Sequence, residues 1–157
     1  MPLPAQITEN TCNQFSSTIA PDFASVRKTL ACIDGWLRDY DVKSDSRDNV
    51  QLVLAEVLNN IIEHAALGGS QDIDLSLSLA SEDIECQIHD LGRPIRVLLH
   101  RSNYEFSEDT QIADLPEGGF GLFLVQSIAR NIRYLPINQG NHLALSVPLI
   151  TNSEQIY

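Results

Sequence analysis

The spacing of the apolar residues changes several times along this chain of 157 residues, and these changes limit the folds open to it. Between residues 23 and 65 apolar side chains recur at every third or fourth position, which is typical of amphipathic helices. Between residues 73 and 88 they alternate with polar side chains, which is typical of half-buried strands. Strands grouped beside helices favour an α+β two-layer sandwich, with a mixed, mostly antiparallel sheet and helices on one face.

The same spacing predicts where the elements begin and end. A short strand is expected at residues 15–19, and a first helix from Pro21-Asp22 to about Tyr40. A second helix begins near Ser44 to Ser46 and ends at Gly68-Gly69. Beyond these, we expect a hairpin that turns at residues 80–83, a helix after Gly118-Gly119, and a final hairpin that turns at Gln139-Gly140-Asn141.

Composition excludes several classes of function. The net charge is −11 and the isoelectric point is near 4.5, so the surface repels phosphate backbones and direct binding to nucleic acid is not expected. Cys12, Cys32 and Cys86 show no CxxC or metal-binding spacing, as expected of thiols in a reducing compartment. No signal peptide and no long apolar run is evident, so we expect a cytoplasmic protein without a membrane partner.

Three polar residues, Glu56, Asn60 and His64, stand four apart in the second predicted helix, which is otherwise strongly apolar. Steps of four residues drift by about 40° around a helix, so these side chains form a slanting row at the edge of the apolar stripe. One interpretation is a solvated face, with His64 capping or packing. The other is a site in which Asn60 ligates Mg²⁺ beside a carboxylate that orients or deprotonates a nucleophile.

A second candidate site follows the predicted hairpin, in the segment QIHDLGRPI at residues 87–95. Asp90 stands at a strand end, where its carboxylate can face a pocket, and Gly92 lets a ligand approach the backbone. A plain surface turn would contain the same residue types.

The third candidate is LPEGGFGLFLV at residues 115–125, a glycine-rich segment that leads directly into an apolar helix. Backbone N–H groups at a helix start, at the positive end of the helix dipole, form a favourable phosphate site. The segment has neither the lysine of a P-loop nor the preceding strand of a Rossmann fingerprint. A helix start with a flexible hinge is the alternative.

Residues 93–117, between the second and third candidates, show no apolar period and are rich in acids, as in a lid, a binding loop or a disordered segment.

Taken in order, the three candidates resemble the Bergerat ATP-binding fold of the GHKL superfamily, which includes gyrase, histidine kinases and MutL. ExxxNxxxHA resembles the N box, DxGxP the first glycine box and GGFGLFLV the second, with a lid at about residues 93–117 between the glycine boxes. The resemblance covers about residues 12–149 of what we expect to be a single domain, residues 1–157. The small size and the LPEGGFGLFLV segment are most similar to the anti-sigma factor serine-protein kinases of bacterial partner-switching systems.

The resemblance implies a role for each matching residue. Glu56 would be the general base or the carboxylate that positions water, and Asn60 the Mg²⁺ ligand that bridges to the phosphates. Asp90 would accept a hydrogen bond from the adenine amino group, and Gly92 would give clearance for the purine. The β and γ phosphates of ATP would be held by the backbone of the second glycine box, at Gly118, Gly119, Phe120, Gly121 and Leu122.

The resemblance also implies an activity and partners. In that family the substrate is a serine or threonine of a small antagonist protein, which competes with a sigma factor for the kinase. We therefore expect an ATP- and Mg²⁺-dependent protein-serine/threonine kinase that acts as an anti-sigma factor in transcription regulation and can form a homodimer. The first helix and the lid are the expected contact regions. Trp36 lies off the apolar stripe of that helix, where it can anchor an interface or be partly buried in the core.

Two departures and two alternatives qualify this expectation. Ala129, Arg130 and Asn131 stand where the family often has an acidic pair, which affects partner geometry, and Pro116-Glu117 replaces a basic residue often found before the paired glycines. One alternative is a non-catalytic ATP-binding regulator that sequesters a protein partner, although the retained Glu56 argues against it. The other is a histidine-kinase-type catalytic domain that acts in trans.

Overall fold

The computed structural model describes residues 13–65, 71–94 and 120–151, which contain five strands and three helices. The strands form one sheet in the order β1-β2-β3-β5-β4, and every described pair is antiparallel. The predicted α+β sandwich is therefore confirmed. In chain order the elements are β1 (Gln14–Ile19), α1 (Phe23–Asp39), α2 (Ser44–Ala65), β2 (Ile73–Leu79), β3 (Asp83–Asp90), α3 (Phe120–Ile128), β4 (Arg130–Ile137) and β5 (Gly140–Pro148).

The core lies between one face of the sheet and the helices. Alternate strand residues are buried on this face, while their neighbours face the open side and are mostly polar. Helix α2 is central, because it packs against both α1 and α3 and also contacts β5. Its buried stripe is the one that the sequence predicts: Val50, Val53, Leu54, Val57, Leu58, Ile61 and Ile62.

Local signals explain how α1 begins. Asp22 is its N-cap, and the carboxylate accepts hydrogen bonds from Ser25 N at 2.7 Å and Ser25 Oγ at 2.8 Å. Because these bonds stabilise the ionised form, they lower the pKa of the Asp22 carboxyl group below its ordinary value. No helix in the described ranges is long and apolar enough to span a bilayer. The predicted end of α2 at Gly68-Gly69, most of the predicted lid, and Gly118 and Gly119 lie outside the described residues.

The final hairpin turns earlier than the sequence predicts. Strand β4 ends at Ile137 and β5 begins at Gly140, so Asn138 and Gln139 form the connection and Asn141 lies inside β5. Gly140 has φ +98°, a conformation that favours glycine, and a Cβ there would overlap the carbonyl group of Asp90. Gly140 therefore serves the close approach of β5 to β3, and the prediction of a turn centred on it is wrong.

Candidate functional site

Two predicted site residues are in contact where α2 crosses the start of α3. Glu56 is half-buried on α2, and its carboxylate packs directly on the backbone of Gly121. A Cβ added to Gly121 would overlap Glu56 Oε2 and lie 2.8 Å from Glu56 Cδ, closer than real Cβ atoms approach other heavy atoms. The first and the third candidate segments of the sequence are thus brought together, and a larger residue at position 121 would displace the end of the Glu56 side chain.

The contact places the Glu56 carboxylate beside the first turn of α3. N–H groups in the first turn of a helix have no partner within the helix and lie at the positive end of its dipole. They stabilise a nearby carboxylate, and they are also the groups that bind an anionic ligand. A phosphate bound here would meet both these donors and the negative charge of Glu56, so the site favours an anion that arrives with a cation.

Asn60 lies one turn after Glu56, and its side chain has a fixed orientation. Its Nδ2 donates to the carbonyl oxygen of Glu56 at 2.7 Å, and only the amide nitrogen can make that bond. The amide oxygen Oδ1 has no donor among the described residues, so it is available to a ligand. His64, at the end of the predicted row, is exposed in the last turn of α2. No three His, Cys, Asp or Glu side chains in the described ranges converge as a metal cluster.

Asp90 is the last residue of β3, and only 5% of it is exposed. Its Oδ1 accepts hydrogen bonds from the backbone N–H of Gly92 at 2.9 Å and from Nδ2 of Asn141 at 3.1 Å. Its Oδ2 has no donor among the described residues. This oxygen can therefore accept a hydrogen bond from an N–H group of a ligand.

Asn141 is the site residue that the sequence analysis missed. It is fully buried, and its Nδ2 bridges Asp90 Oδ1 and the carbonyl oxygen of Gly92, the latter at 2.9 Å. Its Oδ1 is buried without a partner in the described part of the chain. A signal was available, because Asn141 continues the alternation of Leu143, Leu145 and Val147 and so belongs to the core face. The turn prediction placed it in a loop instead.

Residues that lie opposite each other on strands β3 and β5 differ between the two faces of the sheet. Asp90 lies opposite Asn141 on the helix side, and the preceding pair, His89 opposite His142, faces the open side. His89 Nε2 lies 3.1 Å from the carbonyl oxygen of Gln139, and His142 Nε2 lies 3.3 Å from Gln87 Oε1. The helix side of this strand pair therefore carries the buried polar groups of the site.

The rest of the second glycine box is only partly described. Leu122 has its side chain buried in the core at 3% exposure, so its backbone alone can contact a ligand. Phe120 begins α3. Gly118 and Gly119 precede the described range, so their predicted contacts with phosphate stay predictions.

Residues 19–147 match the protein family described as "Histidine kinase-like ATPase domain". The chain belongs to this family. The matched range includes every residue that the sequence analysis assigned to the site, and it also includes Asn141. As a histidine kinase-like ATPase domain, the chain carries its candidate site on the helix-facing side of the sheet.

Two solved structures have a fold similar to this ATPase domain. The RsbU and RsbW domains of Rv1364c from Mycobacterium tuberculosis match with a TM-score of 0.63 and 15% identity, over 90% of this chain and 34% of that chain. The SiaB-SiaC complex from Pseudomonas aeruginosa matches with a TM-score of 0.58 and 11% identity, over 85% of this chain and 88% of that chain. This chain thus spans about a third of the length of the Rv1364c chain. At these identities the similarity shows the fold alone. No curated protein sequence matches the chain.

Proposed function

We propose that this domain binds Mg·ATP and transfers the γ-phosphate to a serine or threonine of a small antagonist protein, as an anti-sigma factor kinase. The contact between Glu56 and Gly121 carries the proposal, because it sets a carboxylate at the helix start where the phosphates are expected. Membership of the histidine kinase-like ATPase family supports the binding of ATP. Similarity to a structure of two proteins in complex, SiaB and SiaC, is consistent with a protein partner.

The buried polar groups fit the purine end of ATP. Asn141 Oδ1 is a buried acceptor without a partner in the described part of the chain, and both described hydrogen bonds to the Asp90 carboxylate end on its other oxygen, Oδ1. The adenine amino group donates hydrogen bonds, whereas guanine has a carbonyl oxygen at the same ring position, which would face Asp90 unfavourably. Asn141 holds the other oxygen of Asp90 and so fixes the direction of the carboxylate. We therefore assign Asp90 to recognition of adenine, with Asn141 as its positioning residue.

The phosphate end fits the residues around the start of α3. The available Oδ1 of Asn60 is the atom that would ligate Mg²⁺, and the backbone N–H groups of Gly118, Gly119, Phe120, Gly121 and Leu122 would hold the phosphates. Mg·ATP supplies the transferable phosphoryl group. Glu56 would accept the proton of the attacking hydroxyl, a contribution of about 10²- to 10⁴-fold in rate for a typical general base.

The test compares wild type with Glu56→Gln and Asn60→Ala, using Mg·ATP and candidate antagonist proteins. We expect Asn60→Ala to lose the Mg²⁺-dependent part of ATP affinity in calorimetry, and Glu56→Gln to bind ATP but form little phosphoserine. Asn59→Ala and Glu63→Gln are matched controls on the same helix and should behave as wild type. Equal phosphotransfer in wild type and in both site variants would overturn the proposed roles.

The family match favours a second candidate, transfer to a histidine on a separate protein. The two candidates are separated by the stability of the phosphorylated product. Phosphoserine and phosphothreonine survive acid treatment, whereas phosphohistidine is hydrolysed in acid. An acid-labile product would therefore support the second candidate.

A further inference from the structure

The proposed purine site, which contains Asp90 and Asn141, lies at one end of the ladder between β3 and β5. These two residues form the last pair of that ladder, and β5 begins directly before Asn141, at Gly140. The ends of strands open more readily than their centres, because fewer neighbouring contacts hold them. The position of the Asn141 side chain therefore depends on what holds the start of β5 in place.

One side chain bonds to the connection that precedes β5. Asn138 and Gln139 form this connection, and both are exposed. Among the described residues, the side chain that bonds to it is that of His89, whose Nε2 lies 3.1 Å from the carbonyl oxygen of Gln139. A carbonyl oxygen only accepts, so Nε2 is the donor and carries a proton. Both the imidazolium ion and the neutral ring with its proton on Nε2 can make this bond.

His89 has neighbours in both adjacent strands on the open face. It lies opposite Asp74 of β2 and opposite His142 of β5. Asp74 Oδ2 is 4.0 Å from His89 Nδ1, and Asp74 Oδ1 accepts a hydrogen bond from Thr18 Oγ1 at 2.9 Å. Because 4.0 Å is beyond hydrogen-bond distance and the Asp74 side chain is 65% exposed, this carboxylate contributes little energy. The bond to Gln139 is therefore the contact through which His89 acts.

Gly140 connects the bond at Gln139 to the purine site. It follows Gln139 directly, and it lies so close to Asp90 that a Cβ on it would overlap the Asp90 carbonyl oxygen. The next residue, Asn141, donates to Asp90 Oδ1 at 3.1 Å and to the carbonyl oxygen of Gly92 at 2.9 Å. A shift of Gln139 would thus pass through one residue and move the Asn141 amide relative to both acceptors.

We infer that His89 is a positioning residue for adenine recognition, although it lies on the opposite face of the sheet. Its bond to Gln139 keeps the start of β5 against β3 and so holds Asn141, which in turn directs the Asp90 carboxylate. The inference rests on the proposed function for the identity of the ligand. His89 has no contact with the nucleotide in this arrangement, so its loss should lower selectivity for adenine and leave the binding of the phosphates intact.

Proton exchange tests the bond in the absence of nucleotide. NMR measures the exchange rate of the Asn141 side-chain amide protons in wild type, His89→Gln and His89→Asn. The amide nitrogen of glutamine can take the place of histidine Nε2, whereas that of asparagine takes the place of Nδ1 and cannot reach Gln139. We expect exchange to be about two- to tenfold faster in His89→Asn, the value of one hydrogen bond, and close to wild type in His89→Gln. His142→Asn, on the same face, is the matched control and should not change the rate.

Nucleotide titrations test the consequence for recognition. Calorimetry with Mg·ATP and with Mg·GTP gives the ratio of the two dissociation constants. A general loss of stability affects both nucleotides alike and so leaves this ratio unchanged. We expect the preference for ATP to fall by about two- to tenfold in His89→Asn and to be restored in His89→Gln. Gln139→Ala keeps the carbonyl oxygen and should behave as wild type.

The two measurements separate this inference from the proposed function. A wild type that binds no ATP would overturn the proposed function and the assignment to adenine, but the exchange rates would still decide whether His89 holds Asn141. Equal exchange at the Asn141 amide in wild type and His89→Asn would overturn the inference. So would a preference for ATP that His89→Asn leaves unchanged. Circular dichroism verifies that each variant is folded, and His89→Ala, which also lacks the donor, serves if His89→Asn is not.

Discussion

The carboxylate of Glu56 lies where a side chain on Gly121 would begin. This contact joins the middle of α2 to the first turn of α3, two segments that are separated by more than sixty residues in the sequence. The relationship explains why a carboxylate in a core helix and a glycine at a helix start occur in one chain.

Gly121→Ala is expected to weaken ATP binding and to lower the stability of the fold only slightly. The added methyl group displaces the end of the flexible Glu56 side chain, so the cost in stability should not exceed about 1 kcal/mol, the lower end of the overpacking range. Urea unfolding and calorimetric ATP titration measure the two effects. Gly35→Ala is the matched control in α1, because a Cβ there meets nothing within 4 Å and should stabilise the helix by up to about 1 kcal/mol.

The double variant Glu56→Ala/Gly121→Ala should recover part of the stability that Gly121→Ala loses. Removing the carboxylate frees the space that the new methyl group needs, so the two substitutions should not be additive. A double-mutant cycle in urea measures this coupling. Strict additivity would contradict the packing described for the two residues.

Asn141→Leu is expected to lower both the stability of the fold and its affinity for adenine nucleotides. The substitution removes one of the two donors to Asp90 Oδ1 and the donor to the carbonyl oxygen of Gly92, and loss of a hydrogen bond to a carboxylate costs about 1.5–3 kcal/mol. Thermal unfolding and a fluorescent ATP analogue report the losses. His142→Ala, one residue along on the open face, should change nucleotide affinity little.

Cys86 is expected to resist alkylation in the folded protein. Burial disfavours the thiolate and raises the pKa of the Cys86 thiol from 9.0 to about 12, so the reactive form is almost absent at pH 8. Half-buried Cys32 should react faster. Mass spectrometry after timed exposure to iodoacetamide, with and without denaturant, measures both rates.

The same shift predicts a loss of stability at alkaline pH. The folded-state pKa of Cys86 is raised, so the stability is fully present below pH 9 and is lost as the pH rises toward about 12, because the unfolded thiol releases its proton first. Cys86→Ala should reduce this loss. Urea unfolding at pH 8 and at pH 10.5 measures the free energy of unfolding of both proteins. An equal decrease in wild type and in Cys86→Ala would contradict the prediction.

The sequence predicted the elements well wherever one apolar period continued without interruption. The stripe of α2 and the alternation of β2 are examples, because a single buried face fixes each of them. The register of the β4–β5 turn was not predictable in the same way. The residues next to Gly140 in the sequence indicate a turn there. Its φ and its contact with Asp90 are instead set by a strand that is distant in the sequence. The burial of Asn141, in contrast, was predictable, because Asn141 continues the alternation of Leu143, Leu145 and Val147.

The candidate site was likewise predictable from the sequence only in part. The four-residue spacing of Glu56 and Asn60 indicates one helix face, but only the crossing of α2 with α3 shows that Glu56 meets Gly121. Trp36 had two interpretations, and its partial burial against Phe15 agrees with the core alternative. Helical period cannot separate these alternatives, because it does not reveal which element lies opposite.

Because β3 and β5 carry different residues on their two faces, binding at the proposed purine site can be observed without altering that site. His89 directly precedes Asp90 and His142 directly follows Asn141, yet both histidines lie on the opposite face of the sheet. Ring proton resonances from these histidines therefore act as built-in spectroscopic reporters. A nucleotide that moves the backbone of Asp90 or Asn141 would change the chemical shifts of these ring protons, so no label is needed at the proposed site.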